Sequence, residues 1–432
     1  MRSRGCQDSV CATATSDDHP RDRMDFDLMQ LPPVIRASII SQTALGERFP
    51  SACPQQGYVD QIADGGLLCP MDGVLFTYSR QLTDYVLRHH DLFSSAVEMP
   101  LGNIRPLIPL NVDPPMHSKY RKILDPLFAP RRMEAMEADI AARAHRFIDA
   151  FAGRGECNFT DEFAELFPSA VFLGLMGLPW AELDTLMSLR DGILHPAKVD
   201  PAADTDPMVR FGVNQATGQR IYDYFNAQLD ERVARPTDDI LTHFTTAEVD
   251  GERLTRNDML DVCYLFLIAG LDTVSDSLTC FWAYLATHPE QRQLIVDRPE
   301  IIPSAVEELL RWESPVPGGV PRVATRDVEL PDGTMVPEGT AVIVSYGGAN
   351  MDPLEFPDGF DVSFDRAVNR HIAFGGGVHR CLGSHLARRE LRIALSVWHD
   401  RIPSYGLKPG HTELQYPSGL RHVKDLMLTW PT

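Results

Sequence analysis

Apolar residues recur at helical spacing through most of the middle of the chain. Runs with few helix-breaking residues predict three helices, at Met133 to Phe151, Asp161 to Met176 and Ala216 to Arg235. The clearest predicted helix runs from about Arg256 to Thr287. Thr255 and Asp258 resemble a capping box at its start, and His288-Pro289 ends it. Its roughly 32 residues would span about 48 Å, so we expect this helix to cross the whole molecule.

Shorter stretches typical of strands flank the helical part. They lie at Gly73 to Tyr78, Val320 to Leu330 and Thr340 to Val344, and the segment from His411 onward mixes loop and strand. Helices give way to strands after Trp312. Proline and glycine are spread evenly, so no linker divides the chain. The pattern predicts one large, mainly α domain with a minor β portion.

Composition changes this picture little but excludes several function classes. The chain has 432 residues, of which 44% are hydrophobic and 23% charged, as in a globular protein with a sizeable core. The formal net charge of −20 argues against a nucleic-acid-binding protein, which needs a basic face. No run reaches the roughly 18 apolar residues that a membrane span requires, so we expect no membrane span and a soluble protein.

The cysteines and the N-terminus predict the compartment. None of the eight cysteines forms a CxxC pair, and Cys263 and Cys280 lie in apolar surroundings typical of buried free thiols. Residues 1–29 are polar and lack the apolar core of a signal peptide. We expect them to be a disordered tail before a domain at 30–432, in a cytoplasmic protein.

The most informative chemistry lies in one segment, Phe374-Gly375-Gly376-Gly377-Val378-His379-Arg380-Cys381-Leu382-Gly383. Its glycines allow a flat ligand to approach the backbone closely. A helix-forming run, Ser384 to Leu395, follows at once, and a helix N-terminus stabilises a thiolate at Cys381. A thiolate held by a rigid loop suits an axial ligand of haem iron. The alternatives are a plain glycine-rich turn with a buried cysteine, or a phosphate loop, which would carry Gly-Lys-Ser/Thr instead.

With this segment the chain resembles the cytochrome P-450 family, the haem-thiolate monooxygenases, and specifically their soluble bacterial members. The family signature Phe-Gly-x-Gly-x-His-x-Cys-x-Gly is complete at 374–383, and the resemblance covers roughly residues 30–432. It implies the single-domain triangular fold of the family, with haem b between the long central helix and the helix after the cysteine loop. It assigns Cys381 as axial iron ligand and gives haem-binding roles to Phe374, Gly375, Gly377, His379 and Gly383.

A second motif of the family lies before the cysteine segment, as the family order requires. Glu308-Leu309-Leu310-Arg311 matches its Glu-x-x-Arg, and residues three apart on a helix can pair. The resemblance adds Arg366, in Phe364-Asp365-Arg366, as a third member of this structural group.

Asp272 and Thr273 lie mid-way along the predicted long helix, where the family carries a catalytic acid–alcohol pair beside the distal face of the haem. A threonine hydroxyl can hydrogen-bond dioxygen there, and an aspartate can relay protons into an apolar pocket. Gly270 leaves room for dioxygen. The neighbouring residues 265–268 are apolar, so we expect a buried pair rather than an exposed one.

Haem propionates need cationic or hydrogen-bonding partners. His117 and Arg121 lie one helical turn apart and offer two such groups. The resemblance adds Arg322 and His379.

The segments that cover the substrate pocket in this family are mainly apolar here: Ser95 to Leu110, about Leu183 to Gly212, Pro315 to Val320 and Tyr416-Pro417. They predict a small apolar substrate, such as a terpenoid, steroid, fatty acyl or aromatic compound.

Because no flavin or ferredoxin-type cysteine cluster is present, we expect electrons from a separate ferredoxin and ferredoxin reductase. A basic patch is a candidate docking face for an acidic ferredoxin, unless its arginines pair locally. It comprises His379, Arg380, Arg388 and Arg389, with Arg131 and Arg132 nearby.

The leading prediction is an enzyme that activates dioxygen and inserts one oxygen atom into an apolar small molecule. One alternative keeps the fold and the haem but performs coupling, dehydration or C–C cleavage. Another is a non-catalytic haem-binding sensor or carrier, which has no need of Asp272 and Thr273.

Overall fold

The structure is a computed structural model that describes residues 32–36, 49, 52–249, 251–417 and 420–432. The predicted tail, residues 1–29, lies outside the described residues. After a helical turn at 33–36, the helices are α1 (Gln55–Ala63), α2 (Arg80–Arg88), α3 (Met116–Leu124), α4 (Pro130–Ala135), α5 (Glu137–Phe151), α6 (Leu166–Met176), α7 (Leu183–Leu194), α8 (Pro196–Val199), α9 (Pro207–Ala234), α10 (Ile240–Thr246), α11 (Arg256–Gly270), α12 (Asp272–Thr287), α13 (Pro289–Asp297), α14 (Ile302–Glu313), α15 (Tyr346–Ala349) and α16 (Ser384–Arg401).

Two sheets account for most of the minor β portion. The strands are β1 (Leu67–Met71), β2 (Val74–Thr77), β3 (Phe93–Ser94), β4 (Glu156–Asn158), β5 (Glu248–Val249), β6 (Glu252–Arg253), β7 (Arg322–Ala324), β8 (Val328–Glu329), β9 (Met335–Val336), β10 (Ala341–Val344), β11 (Gly406–Leu407) and β12 (Met427–Thr429). One sheet has the order β1-β2-β10-β7-β3, in which only β2 and β10 run parallel, and the other has the order β11-β12-β4. The predicted strand at Val320 to Leu330 is two strands, β7 and β8, because β8 turns away to pair with β9.

The predicted long helix is real but interrupted. The Thr255–Asp258 capping box starts α11, which ends at Gly270, and α12 begins at Asp272. Glycine weakens the helix there, and the Thr273 hydroxyl donates to the carbonyl of Ala269 at 3.1 Å, a contact that bends helices. A single unbroken helix was therefore a wrong expectation at this one position.

Among the described residues, one stretch is long and apolar enough to cross a membrane by length and composition, Arg256–Thr287. Its most apolar window is 83% buried inside the fold. The two central helices thus use their apolar faces for packing within the protein.

Other helix boundaries differ from the periodicity for local reasons. The helix predicted from Met133 begins at Pro130 and is broken at Met136, between α4 and α5. The helix predicted from Ala216 begins at Pro207, because Asp206 caps it by accepting from the Met208 and Val209 amides. The first part of α9 is helical because of this cap, although its apolar pattern is weak.

An aromatic cluster joins the central helix to the helix after the cysteine loop. Trp282 of α12 stacks on Phe159 with ring centroids 4.8 Å apart, and Trp398 of α16 meets Trp282 edge-on at 5.6 Å. Both tryptophans are completely buried. Large buried rings contribute strongly to core packing, so α12 and α16 are held in a fixed relation.

Glu308 on α14 is the centre of a buried polar network. Its carboxylate accepts from Arg311 at 2.8 and 2.9 Å and from Arg366 at 3.0 and 3.1 Å. Asn369 Nδ2 and the Ser363 amide donate to the same group at 2.9 and 3.0 Å. The network therefore ties the irregular segment 358–369, which precedes the cysteine loop, to α14.

We predict that Arg311→Ala destabilises the fold by about 3–5 kcal/mol, because it leaves the completely buried Glu308 carboxylate with less compensation. Urea unfolding of the protein measures this loss. Arg298→Ala is the matched control, since Arg298 pairs with Asp365 at 3.0 Å but both side chains are exposed. That control should lose less than about 1 kcal/mol. Equal losses in the two variants would contradict the assigned importance of the Glu308 network.

Candidate haem site

A cavity of about 770 Å³ is lined both by the central helices and by the segment that carries Cys381. Its walls are mainly apolar. They include Phe128, Phe172, Leu265, Phe266, Val274, Val316, Ile343 and Leu386. A space of this size and character suits a large flat or apolar ligand.

Two glycines of the cysteine loop are required by their surroundings. Gly377 has a φ of +63°, and a Cβ there would lie 2.0 Å from the carbonyl oxygen of Leu87. Gly375 has a φ of +68°, and a Cβ there would lie 2.9 Å from the Tyr346 hydroxyl. A Cβ on Gly383 would meet no protein atom within 4 Å. The first two glycines thus allow the loop to pack on α2 and α15.

Arg388 and Phe374 brace the same loop. Arg388 forms a two-pronged ion pair with Glu307 at 2.8 Å, and its guanidinium lies 4.3 Å from the ring centroid of Phe374. His371 also contacts Glu307, at 2.9 Å. Burial raises the pKa of Glu307, but the hydrogen bonds from His371 and Arg388 outweigh it and bring the pKa to about 2. Glu307 is therefore ionised at neutral pH and can hold both partners.

The Cys381 thiol faces the cavity, and its amide donates to the carbonyl of Phe374 at 2.9 Å. The Cys381 side chain has accessible surface, and it lines the cavity. Burial raises its pKa, and the Gly383 amide with Arg121 and Arg380 only partly opposes this. The helix N-terminus does not by itself lower this pKa, and a positively charged metal would favour the thiolate.

His117 and His379 lie together at the cavity, with ring centroids 4.2 Å apart. Burial and nearby cations lower the pKa of His117 to about 4 and that of His379 to about 3. Both ring nitrogens of His117 and Nε2 of His379 are buried without a hydrogen-bond partner among the described residues. Such atoms call for a polar ligand group.

Arg121 and Arg322 complete this polar corner. Arg121 donates to Asp125 at 2.6 Å and to the carbonyl of Arg380 at 2.8 Å, and it lines the cavity. Arg322 is buried and donates to the Val320 carbonyl at 2.7 Å. It is not among the cavity-lining residues of the described chain. Arg322 therefore adds positive charge beside His379 but does not form part of the cavity wall.

Thr273 faces the cavity at the interruption of the central helix. Ala269 and Gly270 line the cavity beside it and are accessible, although the residues before them in α11 are buried. The Thr273 hydroxyl donates to the Ala269 carbonyl, a weak local partner that it can exchange for a ligand. The structure therefore places the Thr273 hydroxyl at this wall.

Asp272 does not line the cavity. Its Oδ2 lies 2.5 Å from Nε2 of His195, and its Oδ1 lies 3.4 Å from Nε of Arg190. Burial raises the pKa of Asp272, but His195 and Arg190 outweigh burial and hold it below its usual value. Consecutive residues on a helix point in different directions, so only Thr273 of the pair reaches the pocket. The predicted burial is confirmed for Asp272, whereas Thr273 is partly accessible through the cavity.

Comparison with known proteins identifies the family. The sequence profile described as Cytochrome P450 matches residues 213–398. The chain is 35% identical over 349 residues to the probable cytochrome P450 127A1 of Sinorhizobium fredii, which covers 81% of this chain and 80% of the relative. The chain belongs to the cytochrome P450 family.

Further similarities agree. The mycinamicin IV hydroxylase/epoxidase of Micromonospora griseorubida is 35% identical over 328 residues, covering 74% of this chain and 79% of that protein. The structure of P450BioI in complex with an acyl carrier protein ligated to hexadec-9Z-enoic acid superimposes with a TM-score of 0.81 at 25% identity. It covers 90% of this chain and 100% of that one. This cytochrome P450 therefore has the mainly α fold with a minor sheet portion that the sequence predicted.

Members of the family bind haem b through a cysteine thiolate. The site described above fits this group. The cavity brings together one accessible cysteine, a backbone cradle that needs Gly375 and Gly377, and a corner of orphaned histidine nitrogens beside Arg121. Two propionates are the acceptors that such a corner lacks. Cys381 would hold the iron, and His117, His379 and Arg121 would hold the carboxylates.

The predicted pocket walls are correct in part. Met99, Pro109 and Leu110 line the cavity, and so do residues 315–320. The segment from Leu183 to Gly212 does not line it. Its His195 instead contacts Asp272, and Arg190 of α7 joins them. Sequence periodicity carried no signal for these two partners, because 77 positions separate His195 from Asp272.

We predict that the reduced protein under carbon monoxide shows a strongly red-shifted Soret band, because Cys381 supplies a thiolate ligand. Cys381→His should keep haem and lose the shift. Cys280→Ser is the control, since Cys280 is buried away from the cavity lining and donates to the Arg421 carbonyl. A red-shifted band that survives in Cys381→His would rule out Cys381 as the ligand.

Proposed function

We propose that this cytochrome P450 monooxygenase oxidises an apolar small molecule in the cavity beside Thr273, with protons managed by Thr273 and Asp272 and electrons delivered by a ferredoxin. One observation carries this proposal. The same cavity is lined by the Cys381 thiol, the Thr273 hydroxyl and a mainly apolar wall. We also propose that residues 30–432 form one haem domain and that the enzyme is cytoplasmic.

Family membership already establishes the class of reaction. Relatives are bacterial monooxygenases and hydroxylases of apolar substrates, and the chain is an oxygen-incorporating oxidoreductase. When bound, the haem supplies the binding and reductive activation of dioxygen. The protein must orient the substrate, exclude bulk water and deliver protons at defined atoms.

The proposed proton path begins at His195. This side chain is 30% exposed, whereas Asp272 beside it is almost completely buried. A proton that reaches His195 from solvent can pass through Nε2 to the Asp272 carboxylate. Thr273 Oγ offers a separate donor on the cavity side of the helix. The cavity wall is mainly apolar, so water has few polar partners away from the corner of His117, His379 and Arg121.

We predict that Thr273→Ala lowers product formed per NADPH consumed by severalfold while NADPH consumption continues, because the cavity loses the hydroxyl at the interruption of the central helix. Paired measurements of NADPH, hydrogen peroxide and product, with the ferredoxin, the reductase and a substrate found by screening, test this. Thr287→Ala is a matched control. Thr287 lies on the same helix and makes the equivalent bond to Ala283 at 2.9 Å, but it does not line the cavity. Unchanged coupling in Thr273→Ala would overturn the assigned role.

Fewer arginines are available for ferredoxin docking than the sequence predicted. Arg388 pairs with Glu307, and Arg389 forms an ion pair with Glu137. These two arginines therefore follow the local-pairing alternative.

Three arginines remain for docking in the part of the chain that the structure describes. Arg131, Arg132 and Arg380 are exposed and have no ion-pair partner among the described residues. The low pKa of His379, caused by burial and nearby cations, removes it from the charged set at neutral pH. On a chain with a net charge of −20, a local cluster of free arginines suits an acidic partner.

We predict that reduction of the enzyme by a ferredoxin slows steeply as salt is raised, and that Arg131→Glu slows it about tenfold at low salt. Stopped-flow reduction under carbon monoxide measures the rate. Arg235→Glu is the control, because Arg235 is also exposed but pairs with Glu231 at the end of α9, remote in sequence from the cysteine loop. A flat salt response would refute docking through these arginines.

A further inference from the structure

Arg421 is a buried arginine in the cavity wall that has no part in the haem site described above. It lines the cavity together with Leu420, and only 7% of its side chain is exposed. Buried arginines are rare unless they are paired, so its hydrogen-bond partners need to be accounted for.

The residue is held rigidly. Its amide donates to the carbonyl of Pro315 at 2.8 Å, and its own carbonyl accepts from the Cys280 thiol at 3.2 Å. Its guanidinium lies 4.6 Å from the ring centroid of Tyr416. A donor positioned this firmly loses little conformational entropy when it binds a ligand.

The charge of Arg421 is balanced but its donors are not all used. Nε donates to Glu313 Oε2 at 2.9 Å, and Nη2 donates to the Ala52 carbonyl at 3.3 Å. Nη1 is buried and has no hydrogen-bond partner among the described residues. One buried donor is therefore left over on a side chain that lines the cavity, next to a carboxylate that balances the guanidinium charge.

We propose that Nη1 of Arg421 anchors the substrate through a neutral hydrogen-bond acceptor, such as a ketone, ester or lactone carbonyl. This inference rests on the proposed function, since it concerns the substrate of the same cavity. A carbonyl oxygen satisfies the unused donor without bringing a further charge into the cavity. A carboxylate would place a second negative charge beside Glu313 around one guanidinium, in a site with little water to screen it.

The anchor also limits where oxidation occurs. The backbone carbonyl of Arg421 contacts Cys280, which lies about two helical turns after Thr273, roughly 10 Å along α12. A substrate held by its carbonyl at Arg421 would therefore present a carbon remote from that carbonyl to the Thr273 region. Arg421 is thus a specificity-determining residue for an otherwise apolar molecule.

Spectral titration of the ferric holoenzyme with three matched probes tests the choice of ligand. The probes are 2-tetradecanone, tetradecane and tetradecanoic acid, with competition assays where a probe gives no spin-state change. We expect the ketone to bind about tenfold more tightly than the alkane and also more tightly than the acid, as one hydrogen bond from a charged donor implies. A ketone that binds no better than the alkane, or an acid that binds best, would overturn the proposal without any variant.

Two variants separate anchoring from structural support. Arg421→Lys keeps a cation for Glu313 but loses the second arm of the guanidinium, so it should weaken ketone binding about tenfold and leave alkane binding unchanged. Glu313→Gln leaves the guanidinium charge uncompensated and should shift the preference from ketone to acid. Arg292→Lys is the matched control, because Arg292 is also buried and stacks on Tyr405 at 4.9 Å but does not line the cavity.

The spectrum of the reduced, carbon monoxide-bound enzyme distinguishes two kinds of failure. A normal red-shifted band with equal loss of ketone and alkane binding in Arg421→Lys would overturn the anchor and leave the proposed function intact. Loss of the red-shifted band in the wild-type protein would overturn the proposed function itself.

Discussion

Two neighbouring carboxylates on α14 hold the cysteine loop from both sides. Glu307 accepts from Arg388, which follows Cys381, and from His371, which precedes it. Glu308 fixes the earlier segment through Arg366 and Asn369. Charge-assisted hydrogen bonds with little access to water are strong and directional, so the loop has one geometry. The position of the Cys381 thiol, and with it the haem site, depends on this arrangement.

The central helix, unlike the cysteine loop, has side chains that can change partners. There the helix is interrupted at Leu271, and the Thr273 hydroxyl rests on a helix carbonyl that it can leave. The Asp272 carboxylate lies outside the cavity and is reached from the solvent side through His195. The enzyme thus combines a rigid thiolate side with a distal side whose donors can rearrange. This division suits a reaction that needs a fixed metal ligand and movable protons.

Most charged side chains near the haem site are paired. The chain carries a net charge of −20, yet most arginines near the haem site are matched by carboxylates on other elements, such as Arg388 by Glu307 and Arg421 by Glu313. Local neutrality leaves the substrate cavity mainly apolar. Of the arginines considered for docking, Arg131, Arg132 and Arg380 have no ion-pair partner in the part of the chain that the structure describes.

The sequence by itself determined the family and the class of reaction, and it predicted Cys381 as the haem ligand. Ten consecutive residues carry the cysteine signature. The backbone conformation of this loop depends on residues within the loop itself, as the positive φ of Gly375 and Gly377 illustrates. Helical periodicity likewise located the central helix, and the capping box marked its start. Only the tertiary structure decided which side chains share a site. Periodicity does not show that Asp272 turns away from the cavity toward His195, that Arg388 and Arg389 are neutralised by distant glutamates, or that Arg421 enters the cavity wall. Those contacts join residues far apart in the chain, and their energies depend on packing and burial that no local pattern records.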